Sequence, residues 1–258
     1  MTVDYELRGH VAVITINRPE ARNAVSTAVA TGIEAAIDQL EGDDDAWVGV
    51  LTGARTDKGW IFSAGADLKQ MSTDPGGMIT ERGGFAGFVK RERTKPVIAA
   101  VDGPALAGGT EIVLACDMVV ASETAVFGIP EVKRNLVAAA GGLFRLPRKI
   151  PRNIAMELAL TGRLDFPAAQ AHQFGLVNHL APEGEALARA IELAEQVAEA
   201  APLAVRESRA IVLAATDASD EVGWKLSDQG IAKMFGTEDF GEGLTAFIEK
   251  RPPAWKGR

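Results

Sequence analysis

The sequence predicts an α/β protein, and three observations carry the prediction. Short, β-branched apolar runs recur between residues 11 and 127. Helical stretches with one apolar face lie between them, as in repeated strand–helix units. From about residue 185 onward the pattern is helical only. With 258 residues, 47% of them hydrophobic and 24% charged, the chain can bury a sizeable core. The organisation expected is a main body over residues 1–195 and a helical region over 196–258.

The run 11–16 reads as a strand paired back to 5–7 through Arg8, Gly9 and His10. Residues 26–40 follow as a helix, with Ile33, Ile37 and Leu40 on one face and Ser26 as its N-cap. The acidic run 41–45 makes a solvated turn before a strand at 47–52. Further strands are expected at 61–62, 97–101, 118–121 and 125–127. Residues 71–88, rich in Gly, Ser and Thr, form either a mobile segment at a ligand mouth or a long loop. In the helical region Leu187, Ala190, Ile191, Ala194 and Ala198 share an apolar face. Pro202 suits the first turn of the next helix. Thr237 caps a last helix carrying Phe240, Leu244, Phe247 and Ile248 on one side, a face that needs a partner surface.

Composition excludes several functions. A net charge of −8 argues against nucleic acid or an anionic membrane as a general partner, though a local cluster of Arg and Lys still suits an anionic ligand. The single cysteine, Cys116, forbids an intrachain disulfide and any cysteine-based metal cluster. The opening residues lack the basic and apolar regions of a signal peptide. The longest apolar stretch, 96–121, is broken by Asp102, Glu111 and Asp117, where a membrane span needs about 20 largely apolar residues. A cytoplasmic protein is expected. There is no phosphate-binding G-x-x-x-x-G-K-[ST], no G-x-G-x-x-G after a strand, no G-x-S-x-G elbow and no H-E-x-x-H. His10, His172 and His179 are scattered and read as structural.

Chemistry concentrates instead in residues 97–117. An apolar strand passes through a Gly/Pro turn into Gly108-Gly109, which opens an apolar helix bearing Glu111. A helix start presents unpaired N–H groups and the positive end of its dipole, and glycine there admits a ligand close to the backbone. Such a site can hold an oxyanion; equally, the glycines can serve tight packing and Glu111 the first turn of the helix. A second Gly-containing element, 62–68, also follows a strand and opens a helix. Two such starts can aim two N–H groups at one oxygen, which is what a thioester enolate requires. Glu131 follows a Gly and a Pro at a strand end. Two carboxyls meeting in an apolar pocket would be driven apart in acidity, one acid and one base.

These residues carry a family resemblance. Asn17-Arg-Pro-Glu-Ala-Arg-Asn-Ala24, Phe62-Ser-Ala-Gly-Ala-Asp67, Lys95-Pro-Val-Ile-Ala-Ala-Val-Asp-Gly103, the stretch 108–117, Phe127-Gly-Ile-Pro-Glu131, Gly141-Gly142 with Arg145-Leu146, and Ala246-Phe-Ile-Glu-Lys-Arg251 resemble the crotonase (enoyl-CoA hydratase/isomerase) superfamily. The match runs through nearly the whole chain in order. It implies a spiral of ββα units with a C-terminal helical trimerisation region, assembled as a homotrimer or a homohexamer. It implies an acyl-CoA substrate and hydratase activity, with no metal and no resident cofactor, since coenzyme A belongs to the substrate. Glu111 and Glu131 match the catalytic pair, and Ala66 and Gly108 the oxyanion hole. Arg22, Ala64, Ala66, Asp67 and Leu68 match positions along the bound CoA. Phe247 and Lys250 match positions that reach CoA from a neighbouring subunit or close the site. One departure is Ala138-Ala139, where typical hydratases have Pro-Gly. The run 145–151 and the ending 249–258 look closer to the carnitinyl-CoA dehydratase branch, which with enoyl-CoA isomerases forms the alternative.

Overall fold

The computed structural model describes residues 1–258. Strands β1 (Val3–Arg8) and β2 (Val11–Ile16) form an antiparallel hairpin, with Val3 opposite Ile16 and Arg8 opposite Val11. From β2 onward one sequence of events recurs. A buried strand enters a central sheet, a short extended stretch joins a second layer, and a helix returns across the core. After β2 the extended stretch is Val25, bridged to Ala66, and the helix is α1 (Thr27–Gly42). After β3 (Val48–Gly53) it is Ser63, bridged to Ala105, leading to the single turn α2 (Leu68–Met71). A small hairpin of β4 (Ile79–Thr80) and β5 (Gly84–Phe85) intervenes. Strand β6 (Val97–Val101) then leads through β7 (Ala105–Leu106) to α3 (Gly108–Ala115). Strand β8 (Met118–Ser122) leads through β9 (Val126–Gly128) to a 3-10 turn at Glu131–Arg134 and α4 (Gly142–Lys149). Helix α5 (Arg152–Thr161), β10 (Phe166–Pro167), α6 (Ala168–Gln173) and β11 (His179–Ala181) complete the body.

The central sheet has the order β1-β2-β3-β6-β8-β11 and is parallel beyond the first hairpin, while β10-β9-β7 form the second layer. This is the spiral of ββα units. Strands β3 and β6 are buried on both faces, which is why β6 reads as an unbroken apolar run. Side chains alternate between two cores. Ala12, Ile14 and Leu51 face the larger one, with α1 and α3. Val11, Val13, Val50 and Ile98 face the smaller one, closed by Ala186, Ala190 and Ala194 of α7 (Ala186–Ala198). The α7 helix runs past residue 195, so the division expected there falls within it. Helices α8 (Pro202–Ala215), α9 (Asp220–Met234) and α10 (Glu238–Glu249) follow. No helix is long and apolar enough to cross a membrane.

Local signals act as the sequence suggested. The Ser26 hydroxyl accepts from the Val29 N–H, and the Thr237 hydroxyl from the Phe240 N–H. Two segments differ. The strand expected at 61–62 is absent; Phe62 N–H donates to the Pro104 carbonyl, and Ser63 supplies the one bridge. The close approach depends on Gly103, at φ +74°, where any Cβ would drive into the Trp60 carbonyl. Residues 71–88 contain the β4–β5 hairpin, anchored by buried Met78, Ala86 and Phe88. Apolar burial there is too sparse to show a period.

Lys95 is the one lysine in the core, 1% exposed. Its ammonium donates to the carbonyls of Leu40 (2.7 Å) and Asp43 (2.6 Å), satisfying the carbonyl end of α1 where a cation also suits the helix dipole. Burial pushes its acidity up, so the ammonium is held by those carbonyls at some cost. Lys95→Met is expected to destabilise the fold by about 1–3 kcal/mol, leaving the Leu40 carbonyl without its donor while the Asp43 carbonyl keeps the Ala46 N–H; urea unfolding followed by far-UV circular dichroism measures it.

Candidate active site

Glu111 lies in the first turn of α3 and is 4% exposed. The preceding residue explains its placement. Thr110 donates from its hydroxyl to the carbonyls of Ala105 (2.6 Å) and Gly128 (2.9 Å) and accepts from the Gly128 N–H (3.1 Å). One side chain thus ties the start of α3 to β7 and to the end of β9. Beyond Gly128 the chain turns through Ile129 and Pro130 into Glu131, so the same knot brings the second glutamate to the first.

The Glu111 Oε1 accepts from the Gly142 N–H at 2.9 Å, with the Ala140 N–H also turned to the carboxyl. Glycine is required at 142. A Cβ there would lie 3.1 Å from Glu111 Oε1 and 2.9 Å from the Ala138 methyl. Burial pushes the Glu111 carboxyl up to about 7; the Gly142 and Ala140 N–H groups and the Arg145 charge oppose the rise, and the Glu131 charge adds to it. Burial also raises Glu131, whose Oε2 is enclosed with no hydrogen-bond partner. The Glu111 carboxyl therefore holds its proton well above the ordinary carboxylate range. An exposed apolar rim adjoins them, formed by Leu136 and Val137 after Glu131 and by Leu143 and Phe144 on α4. The Ala139 N–H donates to the Val137 carbonyl at 2.8 Å and is therefore occupied.

The second Gly-containing element runs beside the first. Leu106 N–H donates to the Ser63 carbonyl, and a Cβ on Gly65 would lie 2.9 Å from the Gly108 nitrogen. The N–H groups of Ala66 and Gly108 donate to no acceptor in the chain. They are two free donors on adjacent segments, the arrangement an oxyanion needs. The Gly108 amide is presented by Ala107, a non-glycine residue at φ 52°, and is backed by the Phe85 ring, which fills the space a Cβ would take.

Residues 22 and 64–68 form one surface next to those donors. Ala64 N–H donates to the Arg22 carbonyl, and Asp67 N–H to that of Val25. Arg22 and Leu68 are exposed. The Asp67 carboxylate is already engaged. It accepts from Arg18 at 2.7 Å and from Lys69 and Gln70 N–H as the cap of α2, which together hold its pKa below the usual carboxylate range. Phe247, 85% exposed, and Lys250 belong to α10 and its C-cap, and within one chain they are not packed against this surface. Sequence reasoning missed Arg18, Phe85, Thr110 and the role of Gly142. Each acts through a partner distant in the chain, and none has a local pattern that marks it.

The raised Glu111 pKa has a stability consequence. The native state binds a proton here between the ordinary value of 4.5 and about 7, so this contribution is fully present below 4.5 and lost as pH rises through about 7. Glu111→Gln, which cannot ionise, is expected to melt progressively higher than wild type between about pH 5 and about pH 8; calorimetry across that range checks it.

Comparison with known proteins identifies the lineage. Residues 6–258 match the family model described as enoyl-CoA hydratase/isomerase. The chain is 40% identical to an enoyl-CoA hydratase of Mycobacterium tuberculosis, over 98% of this chain and 96% of that one. It is 37% identical to a carnitinyl-CoA dehydratase of Proteus mirabilis, over 97% of each. A crystal structure of an enoyl-CoA hydratase from Mycobacterium tuberculosis H37Rv superposes with a TM-score of 0.93 at 46% identity, covering 100% of this chain and 99% of that one. With the crotonase spiral, the paired glutamates and a match from residue 6 to the last residue, this chain belongs to the enoyl-CoA hydratase/isomerase family.

Proposed function

We propose that this protein is an enoyl-CoA hydratase, adding water reversibly across the double bond of a trans-2-enoyl-CoA to give a 3-hydroxyacyl-CoA. The observation that carries the reading is the convergence of two buried carboxyls of raised pKa, Glu111 and Glu131, near two adjacent free N–H groups. A hydratase needs both carboxyls, one to take a proton from water and one to give a proton to carbon.

In this reading the thioester oxygen sits between the N–H groups of Ala66 and Gly108. Glu111, held by the Gly142 and Ala140 N–H groups, is the better base because those donors favour its anion. Glu131, with an unpartnered Oε2, is suited to stay protonated and act as the acid. Water attacks Cβ, its oxygen forming the new C–O bond while one of its protons passes to Glu111. The π electrons move to the enolate oxygen and then to Cα, which takes the Glu131 proton. Transfer of the proton from Glu111 back to Glu131 resets the pair, for a net addition of one water.

Arg22, Ala64, Ala66, Asp67 and Leu68 line the path of coenzyme A, Asp67 through its backbone because its carboxylate is bonded to Arg18. Phe247 and Lys250 reach the site from a neighbouring subunit of a homotrimer or a dimer of trimers, a reading supported by the bare apolar face of α10. The reaction calls for no metal and no resident cofactor. A second reading, dehydration of a bulkier polar acyl-CoA, is favoured by Ala138-Ala139 and by the resemblance to carnitinyl-CoA dehydratases.

Purified protein is expected to consume the conjugated thioester absorbance of crotonyl-CoA, with Glu111→Gln and Glu131→Gln each folded and slower by about 10²–10⁴-fold. Turnover of carnitinyl-CoA with none of crotonyl-CoA selects the second reading. Absence of turnover with both and with a panel of longer and branched enoyl-CoAs, despite CoA-ester binding, refutes hydration.

A further inference from the structure

The geometry points to Arg145 as a positioning residue that ties the two halves of the site together and fixes the proton affinity of Glu111. This rests on the proposed role of Glu111 as the base.

Arg145 lies on α4, and its side chain is half-buried. Nη2 donates to the Val89 carbonyl at 2.7 Å, and Nη1 makes a longer, 3.4 Å bond to the Ala140 carbonyl. Between those carbonyls the guanidinium passes over Gly141, at φ +113°, where any Cβ would collide with Nη1. The turn at 140–142 is therefore wrapped around this side chain, and that turn supplies the two N–H groups that hold the Glu111 carboxyl. At its other end, Val89 belongs to the segment whose Phe85 backs the Gly108 amide: Val89 N–H donates to the Phe85 carbonyl. One planar group thus joins the turn holding the carboxyl to the segment supporting a free N–H donor. A lysine cannot reproduce the fork.

Its charge matters as well as its shape. The charged groups that act on Glu111 are Glu131, which raises its proton affinity, and Arg145, which lowers it. Around Arg145 stand Glu111, Arg93, Arg148 and the buried Cys116 thiol. The thiol, pushed up to about 12 by burial, is neutral at working pH, and Arg93 and Arg148 are like charges, so Glu111 is the only anion among them near neutrality. A guanidinium taken from water beside two other arginines, with no ion pair of its own, is costly unless the site uses it.

The test separates fork from charge. In protein labelled with ¹³C at glutamate carboxyls, the Glu111 signal, assigned by its loss in Glu111→Gln, is titrated in wild type, Arg145→Gln and Arg145→Lys. Arg145→Gln is expected to raise the Glu111 midpoint by about half a pH unit or more and, at neutral pH, to lower kcat for crotonyl-CoA by about tenfold or more with KM within about twofold. Arg145→Lys keeps the midpoint near wild type and lowers kcat, because an ammonium cannot span both carbonyls. A folded Arg145→Gln with the wild-type midpoint overturns the proposal whatever its rate. If Arg145→Gln does not fold, wild-type kcat in Arg145→Lys overturns it. A moved midpoint in a protein that turns over no enoyl-CoA keeps the assignment of Arg145 and removes the hydratase reading instead.

Discussion

A carboxylate withdrawn from water must be met by donors that have nowhere else to go, and most of this fold supplies that condition for Glu111. Ionising a buried carboxyl opposes folding, and burial is the largest cause of the rise in the Glu111 pKa to about 7. The donors answering it are backbone N–H groups of a turn fixed by Gly142, where a methyl group would crowd both the carboxyl and Ala138. The helix start carrying the carboxyl is fixed by the three hydrogen bonds of Thr110. The double-sided sheet, with a core on each face, supplies the favourable burial that keeps an unfavourable centre in place. Stability and chemistry pull in opposite directions at this one residue, and the spiral absorbs the difference.

The spiral also explains how distant segments become neighbours. Each unit ends by sending a short stretch into the second layer before its helix begins, so the starts of successive helices stack beside one another. Ser63 bridges Ala105, Val25 bridges Ala66, and β7 pairs with β9. Free N–H groups of two helix starts, Glu111 in the first turn of one of them and Glu131 in a further turn meet because the same connection is made repeatedly, at one end of adjacent parallel strands. The apolar face of α10, with Phe247 and Ile248 largely exposed, is one part of the chain that this intramolecular logic leaves uncovered.

Much of the fold was legible because the relevant forces are local. β-branched runs such as 97–101 declare themselves by composition, and the caps at Ser26 and Thr237 by a hydroxyl before an apolar period. The strand expected at 61–62 failed because its hydrogen bonds go to a single turn, at Pro104, and not to a ladder. The identities of Glu111, Glu131, Ala66 and Gly108 came from family resemblance; their spacing alone left packing and chemistry equally open. What sequence could not reveal was the supporting set. Thr110, Arg145, Phe85 and Arg18 work through partners dozens of residues away in most cases, and a threonine or phenylalanine in those positions looks like any other. The glutamate acidities belong to the same class, since burial is a property of the assembled molecule.

The stretch between Glu131 and Gly142 is held at its two ends and little in between. Leu136 and Val137 point outward, Ala139 is exposed, and Ala138, against Gly142, and Ala140 are packed inward. Replacing those outward side chains changes what lies next to the paired carboxyls without disturbing Thr110, Gly142 or either core. On the proposed hydratase reading, selectivity and reactivity have separate mutational addresses in this chain. A lineage can exchange one acyl group for another by drift in a handful of surface positions while the expensive centre stays fixed, which is a physical reason for relatives with different substrate names to share one scaffold and one pair of glutamates.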